Sequence, residues 1–387
     1  MVSLNTQIFA GALLGAVFGL VLGHTGLSPA ASPLLSGLDL LGKIFIGLLK
    51  LLMVPLVFTS IAAGIANLKH SGRSRRVWPA LILYSLTTTS LAAATGLTTM
   101  NLIKPGEGLD IHLFKASAPH AGTAQPLSAD NIFVIIVLAA LTGIILIVLG
   151  KKGEPLLKIV NKVFEFIMRF ISIVMRLAPL GIMGLLAGLI AQAKLSLLYV
   201  LGKYILVVMG STIFHGLVTL PLILWLAAKI SPRLFFKAMK EALITAFATS
   251  SSTATLPVSL RCLTQNVGID KYIARFVLPI GAVLNMDGTV MYEAMAALFV
   301  ANLCQVHLSL PAQMVVMLTA MAVSIGAPGI PSAGMVTLMV VLQSVGLPLA
   351  ALGLLIAIDR PLDTVRTMVN VEGDCIGACV VQRAAGN

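Results

Sequence analysis

Long apolar segments dominate this sequence, and they restrict what the chain can fold into. Of its 387 residues, 58% are apolar and only 10% are charged, whereas a soluble domain carries about 25% charged residues. So few charges cannot cover the surface of a water-soluble globule. Apolar spans near the roughly 20 helical residues of one membrane crossing are predicted at 8–22, 41–66, 78–102, 132–149, 170–193 and 197–227. We therefore expect an all-α, polytopic membrane protein.

The first span carries glycines at intervals of four residues. Gly11, Gly15, Gly19 and Gly23 would form a stripe that lets a second helix backbone approach closely. The alternative is that the apolar helix simply tolerates glycine. No basic residue precedes this span, which favours a retained helix over a cleaved signal sequence.

The distribution of basic residues predicts the orientation of the chain. The net charge is +12, and the basic residues are concentrated in alternate loops, at 69–76, 151–162, 229–240 and 271–275. Cytoplasmic loops of membrane proteins carry such an excess of lysine and arginine. Both termini are therefore predicted to be cytoplasmic, and the positive charge is explained without a nucleic-acid partner.

The apolar stretches change character in the carboxy-terminal half. Two of them are interrupted by small polar residues, TSSSTATLP at 249–257 and SIGAPGIPSAG at 324–334. Each is predicted to form a re-entrant hairpin, because non-helical backbone inside a membrane is tolerated only within protein or beside water. A long span with a polar break follows each hairpin, at NMDGT 285–289 and NVEGD 370–374. The two units start from opposite sides and are interpreted as inverted repeats, which favours a transporter site near the bilayer midplane.

The last span contains a stripe of polar side chains. Steps of four, three, four and four residues place them on one helix face: Asp359, Asp363, Arg366, Asn370 and Asp374. A charge at that depth costs at least about 2.5 kcal/mol on insertion scales. Asp363 and Arg366 can partly neutralise each other, and the alternative to a binding site is a buried ion-pair network without a ligand.

Oxygen-bearing side chains near the polar breaks indicate a cation site. Asp287, Asp374, Asn285 and Asn370 stand close to glycines, where helix breaks would free carbonyl oxygens. Carboxylate, amide and carbonyl oxygens are hard ligands, which favours Na⁺ over a transition metal. Thr88 and Thr89 could add hydroxyl ligands or, as the alternative, bond back to their own helix.

The substrate chemistry follows from the charges beside the hairpins. The tips supply hydroxyl and backbone N–H groups, which bind anions at helix starts. Arg366 can grip a carboxylate with two hydrogen bonds, and Asp363 can hold an ammonium group. These features predict an acidic amino acid as the substrate.

Three further interpretations remain open from the residues alone. Glu293 could carry a proton or could pair with an arginine such as Arg360, whereas the lone His215 is interpreted as a satisfied core histidine. The serines at 250–252 would allow a membrane hydrolase only if a base lay within reach, and Asp287 is the one candidate. A passive channel conflicts with paired tips that resemble gates.

Four motifs resemble the dicarboxylate/amino acid:cation symporter family, which includes the excitatory amino acid transporters. They are SSSTATLP at 250–257, NMDGT at 285–289, the Gly/Pro tip at 324–334 and DRPLDTVRTMVNVEGD at 359–374. The resemblance implies about eight transmembrane helices, two re-entrant helical hairpins, inverted repeats and an elevator-type homotrimer in a cell (inner) membrane. It implies scaffold segments at 1–76 and 128–195, and transport segments at 77–127 and 196–387.

The resemblance also implies a role for each site residue. The substrate would contact Arg366, Asp363, Thr367, Asn370, Thr289, Ser252, Ser250, Ile330 and Gly334. Arg366 and Thr289 would hold the side-chain carboxylate, and Asp363 would hold the amino group with Thr367. The α-carboxylate would lie against Asn370, Ser252 and the second tip.

Three sodium sites are implied in the same way. One would use Asp374 with carbonyl groups of Gly281, Asn285 and Asn370. A second would use Ser85, Thr88, Thr89, Asn285 and Asp287. A third would use carbonyl groups of Val283, Ser324, Ile325 and Ala327.

Substrate choice within the family depends on two positions. Neutral amino acid carriers lack the arginine at position 366, and C4-dicarboxylate carriers lack the carboxylate at position 363; both are present here. The resemblance therefore implies L-glutamate or L-aspartate, with a C4-dicarboxylate or neutral amino acid symporter as the alternative. Glu293 matches the residue that carries H⁺ in proton-coupled members. This chain has Ser250 where some microbial relatives have an arginine. Arg366 is therefore expected to be the one substrate-binding cation nearby.

Overall fold

The computed structural model describes residues 4–24, 33–67, 77–108, 132–325, 327 and 334–386, and all regular structure in these ranges is helical. Four helical segments among them are long and apolar enough to cross a membrane: Val77–Ile103, Val134–Met175, Ser196–Ala228 and Lys271–Leu303. Shorter apolar helices pack between them. The predicted all-α membrane architecture is confirmed at this level.

The amino-terminal half consists of six helices within the described ranges. They are α1 Leu4–His24, α2 Pro33–Asn67, α3 Val77–Ile103, α4 Ile132–Leu149, α5 Glu154–Met175 and α6 Ala178–Phe214. The predicted close approach at the glycine stripe is confirmed for Gly11 and Gly15. Added Cβ atoms there would lie 2.3 Å from Pro179 O and 2.5 Å from Met183 O, so the α1 backbone lies directly on α6.

The predicted boundary between the fifth and sixth spans is wrong. Those spans were expected at 170–193 and 197–227, but α6 continues through 194–196. The stretch Ala191–Leu195 contains Ala, Gln, Lys and Leu, which favour helix, and neither glycine nor proline. The chain instead breaks between α5 and α6, just before Pro179, whose missing N–H suits a first helical turn.

The helix path beyond α6 is continued by wider turns. Two π-helical segments, His215–Thr219 and Leu224–Ala228, flank α7 Leu220–Ile223. Pro221 cannot donate a helix hydrogen bond, and its ring displaces the carbonyl one turn earlier, so the wider spacing starts there. The extra residue in the first π turn directs His215 into the interior, where it is fully buried.

The carboxy-terminal half contains the helix pairs of both predicted hairpins, although residues 326 and 328–333 of the second tip lie outside the described residues. The first is α8 Pro232–Thr249 and α9 Ser252–Arg261, followed by α10 Lys271–Leu284 and α11 Asp287–Leu303. The second is α12 Leu310–Ser324 and α13 Gly334–Ser344, followed by α14 Leu352–Ala385. The predicted polar break between α10 and α11 is confirmed, since Asn285 (φ −111°, ψ 74°) and Met286 (φ −106°, ψ 56°) leave the helical conformation.

The second predicted polar break, at 370–374, is absent because α14 runs through it without interruption. Gly373 serves a close approach between helices instead: a Cβ there would lie 2.6 Å from Asn285 Nδ2. The Gly373 carbonyl also accepts a hydrogen bond of 2.8 Å from Tyr84 Oη on α3. A helix break was expected to free carbonyl oxygens at 370–374 as cation ligands. Because α14 is continuous there, no break frees them.

Helix α14 joins two apolar clusters. Its first half packs with α6 and α11 to α13, and its second half packs with α3 and α8 to α10. The first cluster includes α14 as far as Leu362, and the second begins on α14 at Val369. Asp363 and Arg366 of the polar stripe lie between these two positions, where the clusters meet.

Candidate functional site

Arg366 is the centre of a buried ion-pair network on α14. Its Nη2 donates a hydrogen bond of 2.8 Å to Asp359 Oδ1 and another of 2.8 Å to Asp363 Oδ1. All three side chains are buried. Arg360 Nη1 lies 3.5 Å from Asp363 Oδ2, so Asp363 has a second cationic neighbour. That Arg366 is the one substrate-binding cation nearby stays a prediction. The predicted neutralisation of Asp363 by Arg366 is confirmed.

Arg366 also has unused hydrogen-bond donors. Its Nε and Nη1 have no partner among the described residues, although the side chain is only 1% exposed. The Cζ atom lies 3.9 Å from the centroid of the Tyr292 ring, a cation–π contact. A buried guanidinium with free N–H groups is suited to binding a carboxylate.

The second hairpin lies directly beside this guanidinium. At Gly334, the first residue of α13, an added Cβ would lie 3.3 Å from Thr289 Cγ2 and 3.8 Å from Arg366 Nη2. The hairpin, the start of α11 and the stripe of α14 therefore converge on one place. This is the convergence on which the predicted site depends.

Asn370 fastens the start of α11 to α14. Its Oδ1 accepts a hydrogen bond of 2.8 Å from the Gly288 N–H, and its Nδ2 donates one of 3.0 Å to Thr289 Oγ1. A Cβ on Gly288 would lie 2.6 Å from the Arg366 carbonyl oxygen, so this approach requires glycine. The break before α11 thus brings Thr289 next to the polar stripe.

The tip of the first hairpin is short and buried. Ser250 has a left-handed backbone (φ 50°), which is uncommon for a residue with a side chain. Ser251 caps α9 by accepting a hydrogen bond of 3.2 Å from the Ala254 N–H. Ser250 and Ser252 are both buried, and α9 packs against α14. Their contact with a substrate stays a prediction.

Hydroxyl and carboxylate oxygens of α3 and the break before α11 converge on a second place. Thr88 Oγ1 lies 2.9 Å from Asn285 Oδ1, 3.2 Å from Asp287 Oδ1 and 3.3 Å from the Ser85 carbonyl oxygen. One hydroxyl proton cannot serve three acceptors. Thr89 Oγ1 donates a hydrogen bond of 2.8 Å to Asp287 Oδ1. These threonines therefore do not bond only to their own helix, and the crowded oxygens match the ligands that a hard cation prefers.

Two further carboxylates lie close to this oxygen cluster. Asp374 Oδ1 is 2.6 Å from the position of an added Cβ on Gly281, and Glu372 Oε2 is 3.1 Å from that on Gly216. Asp374 Oδ1 and Glu372 Oε1 have no hydrogen-bond partner in the described part of the chain. Both side chains are buried.

Negative charge is in excess around this cluster. Asp287, Glu372 and Asp374 have no lysine or arginine within ion-pair distance in the ranges described above. Burying unpaired carboxylates is costly, so bound cations or protons would stabilise the cluster. Its carboxylate, amide and hydroxyl oxygens favour Na⁺ over a metal that prefers sulfur or imidazole.

Comparison with known proteins identifies the family. The model of the sodium:dicarboxylate symporter family matches residues 4–384. The chain is 32% identical to an excitatory amino acid transporter of Caenorhabditis elegans, over 95% of this chain and 85% of that protein. It is 34% identical to human neutral amino acid transporter B(0), over 96% and 79%, and 32% identical to mouse excitatory amino acid transporter 3, over 97% and 84%.

The chain belongs to the sodium:dicarboxylate symporter family. This symporter is an integral membrane transporter and not an enzyme, which excludes the hydrolase interpretation of the serines at 250–252. Family membership implies sodium coupling, in agreement with the oxygen-rich cluster around Asp287. The predicted family resemblance is confirmed.

Glu293 of the symporter contacts the second hairpin and not Arg360. Its Oε1 accepts a hydrogen bond from Thr337 Oγ1 on α13, whereas Arg360 is engaged with Asp363. Glu293 is fully buried, and its Oε2 has no partner within the described ranges. The alternative of an ion pair between Glu293 and Arg360 is wrong.

Some predicted ligands remain untested by these contacts. Ser324 accepts a hydrogen bond of 3.0 Å from the Ala327 N–H at the end of α12, and Val283 lies in the last turn of α10. The third sodium set therefore stays a prediction. Thr367 is buried beside Arg366 in sequence. Ile330 lies outside the described residues.

Two site residues were not recognised from the sequence. His215 is buried as predicted, but it is not fully satisfied: its Nε2 lies 3.2 Å from Asp287 Oδ2, beside the oxygen-rich cluster, and its Nδ1 has no partner among the described residues. A lone histidine within an apolar span is the signal that could have assigned it to a site. Tyr292, which lies under Arg366, has no sequence signal, because aromatic residues are common in apolar helices.

Proposed function

We propose that this symporter transports L-glutamate or L-aspartate together with Na⁺. The observation that carries the proposal is the buried Arg366 guanidinium, whose Nε and Nη1 lack partners among the described residues. A carboxylate can accept both N–H groups, which no neutral side chain does as well. The named relatives include excitatory amino acid transporters, which supports an amino acid as the substrate.

The binding mode follows from an exchange of ion pairs. Asp363 is hydrogen-bonded to Arg366 at 2.8 Å. We propose that the substrate side-chain carboxylate binds Arg366 with help from Thr289, which releases Asp363 to hold the ammonium group with Thr367. Each charge then keeps a partner, so the buried charges are never left uncompensated. The α-carboxylate lies against Asn370, Ser252, Ser250 and the second tip with Ile330 and Gly334.

Neutral amino acids and C4-dicarboxylates are the alternative substrates. The similarity to neutral amino acid transporter B(0) keeps the first alternative in consideration. Against it stands Arg366, because a neutral substrate would leave its free N–H groups unsatisfied in a buried site. Asp363 disfavours dicarboxylates in the same way, since they bring no ammonium group.

Uptake into liposomes tests the proposed function directly. Labelled aspartate should accumulate when an inward Na⁺ gradient is imposed, and unlabelled glutamate should compete while serine and succinate compete weakly. Accumulation without Na⁺, or equal competition by serine or succinate, would contradict the proposal. Proton gradients imposed separately then report on H⁺ coupling.

We propose Glu293 as the carrier of a coupled proton. Glu293 is buried, and Arg366 is the charged side chain among the described groups that interacts with it electrostatically. Glu293→Gln keeps the shape and the contact with Thr337 but cannot exchange a proton. We expect an inward proton gradient to accelerate aspartate uptake by the wild type and to leave the variant unaffected. Equal stimulation of both proteins would exclude Glu293 as the carrier.

The elevator arrangement is proposed with the domain limits given above. Segments 77–127 and 196–387 would slide past a scaffold of 1–76 and 128–195, and three chains would assemble. At one contact between these parts, a Cβ on Gly353 of α14 would lie 2.8 Å from Leu185 Cβ on α6, within reach of a disulfide after a small adjustment. The native cysteines are buried.

Locking this contact tests the sliding motion. We expect oxidation of the Leu185→Cys, Gly353→Cys double variant to stop uptake and reduction to restore it, while oxidation leaves the Leu185→Cys single variant active. Full uptake by completely cross-linked protein would contradict sliding at this contact.

Two further measurements test the assembly and the orientation. A monomer mass by light scattering in detergent would contradict the trimer. Reporter fusions that place either terminus outside the cell membrane would contradict cytoplasmic termini.

A further inference from the structure

A lipid-sized cleft lies between α3 and α6, away from the substrate and cation residues. Its volume is about 760 Å³, and apolar side chains such as Leu91, Leu206 and Phe214 line it. These three side chains are exposed. Both walls belong to segments that are long and apolar enough to cross a membrane, so the cleft opens toward lipid.

Three of the four hydroxyl groups that line the cleft have hydrogen-bond partners. Thr95 Oγ1 donates a hydrogen bond of 2.7 Å to the Leu91 carbonyl oxygen of its own helix. Thr99 Oγ1 and Ser211 Oγ lie 2.9 Å apart and join the two walls. Because these polar atoms are satisfied, the cleft favours an apolar occupant.

The length of the cleft matches one half of a bilayer. Its lining extends from Leu91 to Ile103 on α3, which corresponds to about 18 Å of helix at 1.5 Å per residue. Half of the hydrocarbon core is roughly 15 Å thick. Ile103 is the last residue of α3, so this end of the cleft lies near the membrane surface and the other end lies near the midplane.

A cation stands at the surface end of the cleft. Lys203 Nζ donates a hydrogen bond of 3.0 Å to the Ile103 carbonyl oxygen. An ammonium group has three N–H donors, so two remain to contact a phosphate. No carboxylate forms an ion pair with Lys203 among the described residues. The cleft thus combines an apolar channel with a positive charge at headgroup depth.

We propose that the cleft holds one acyl chain of an anionic phospholipid whose phosphate pairs with Lys203. We expect an anionic headgroup to bind more tightly than a zwitterionic one, because no carboxylate among the described residues neutralises the charge of Lys203. The lipid would fill the space between α3, which supplies cation-site hydroxyls, and α6, which contacts α11 and α14.

The chain offers a filling variant and a matched control. Gly210 lines the cleft, and an added Cβ there meets nothing within 4 Å. Gly202 is equally open, lies on the same helix and is not part of the lining. Gly210→Leu should fill the cleft without a clash, whereas Gly202→Leu adds the same side chain elsewhere. Lys203→Ala removes the charge, and Lys203→Arg keeps it.

Photo-crosslinking in nanodiscs of phosphatidylcholine tests the proposal. The probes are phosphatidylglycerol and phosphatidylcholine, each with the same diazirine-bearing acyl chain, and labelled peptides are mapped by mass spectrometry. We expect labelling of 91–103 and 203–214 by the phosphatidylglycerol probe, about fivefold stronger than by the phosphatidylcholine probe. Gly210→Leu should lose the labelling, and Gly202→Leu should keep it. Lys203→Ala should lose the preference for phosphatidylglycerol, and Lys203→Arg should retain it.

Two results would overturn the proposal. Equal labelling of wild type and Gly210→Leu would show that the acyl chain does not occupy the cleft. Equal labelling by the two probes in the wild type would show that Lys203 does not select an anionic headgroup. A melting temperature for each variant confirms that the proteins compared are folded.

Discussion

Replacing Arg366 with alanine is expected to abolish uptake of aspartate and glutamate. Truncating one partner of a buried charge pair costs roughly 2–5 kcal/mol, which corresponds to a loss of about 30-fold or more in apparent affinity. The variant also leaves Asp359 and Asp363 without the guanidinium that each contacts at 2.8 Å. The measurement is Na⁺-driven uptake of labelled aspartate and of a labelled neutral amino acid into proteoliposomes.

Arg366→Lys serves as the companion variant. It keeps a positive charge near Asp359 and Asp363 but lacks the planar fork of N–H donors. We expect it to fold like the wild type and to bind aspartate less tightly. Unchanged aspartate uptake by Arg366→Ala would refute the proposed carboxylate site. Retained uptake of a neutral amino acid by that variant would show that the protein is folded and that only the carboxylate contact is lost.

Replacing Asp287 with asparagine is expected to abolish uptake at low Na⁺ concentrations. Asp287 Oδ1 accepts the Thr89 hydroxyl at 2.8 Å, and Asp287 Oδ2 lies 3.2 Å from His215. Asparagine preserves the shape but removes the negative charge that would hold the cation. We expect a loss of roughly 30-fold or more in apparent sodium affinity. It is measured by sodium titration of uptake and by sodium-dependent thermal stabilisation without substrate.

Asp270→Asn is the matched control for this substitution. Asp270 caps α10 through hydrogen bonds from the Tyr272 and Ile273 N–H groups at 2.8 and 3.2 Å, and asparagine caps helices about as well. It should leave both sodium titrations unchanged. Sodium stabilisation of Asp287→Asn equal to that of the wild type would remove Asp287 from the cation site.

Local chemistry explains why the hairpins and the first break were predictable. Small polar residues interrupt apolar stretches at 249–257 and 285–289, and the helices end there. The helical spacing of Asp359, Asp363 and Arg366 likewise fixes their common face without reference to other elements. These features depend on neighbours only a few residues away.

Most of the failed expectations concern places where residues distant in sequence determine the contacts. NVEGD at 370–374 resembles NMDGT at 285–289, yet α14 remains helical, and its Gly373 accommodates Asn285 from the break between α10 and α11. The boundary near 194 failed for a local reason instead, since a single lysine does not terminate a helix of strong formers. The contact of His215 with Asp287 joins residues 72 positions apart, which no local pattern specifies.

The sequence by itself determined a helical membrane protein with interrupted hairpins and a charged helix face, because hydropathy and helical periodicity act over short distances along the chain. Only the tertiary structure decided which polar groups share a site. Thr88 meets Asn285 across 197 positions, and Tyr84 meets Gly373 across 289. Packing of the apolar surfaces removes the buried polar atoms from water, so these atoms pair with one another. No local pattern specifies which pairs result.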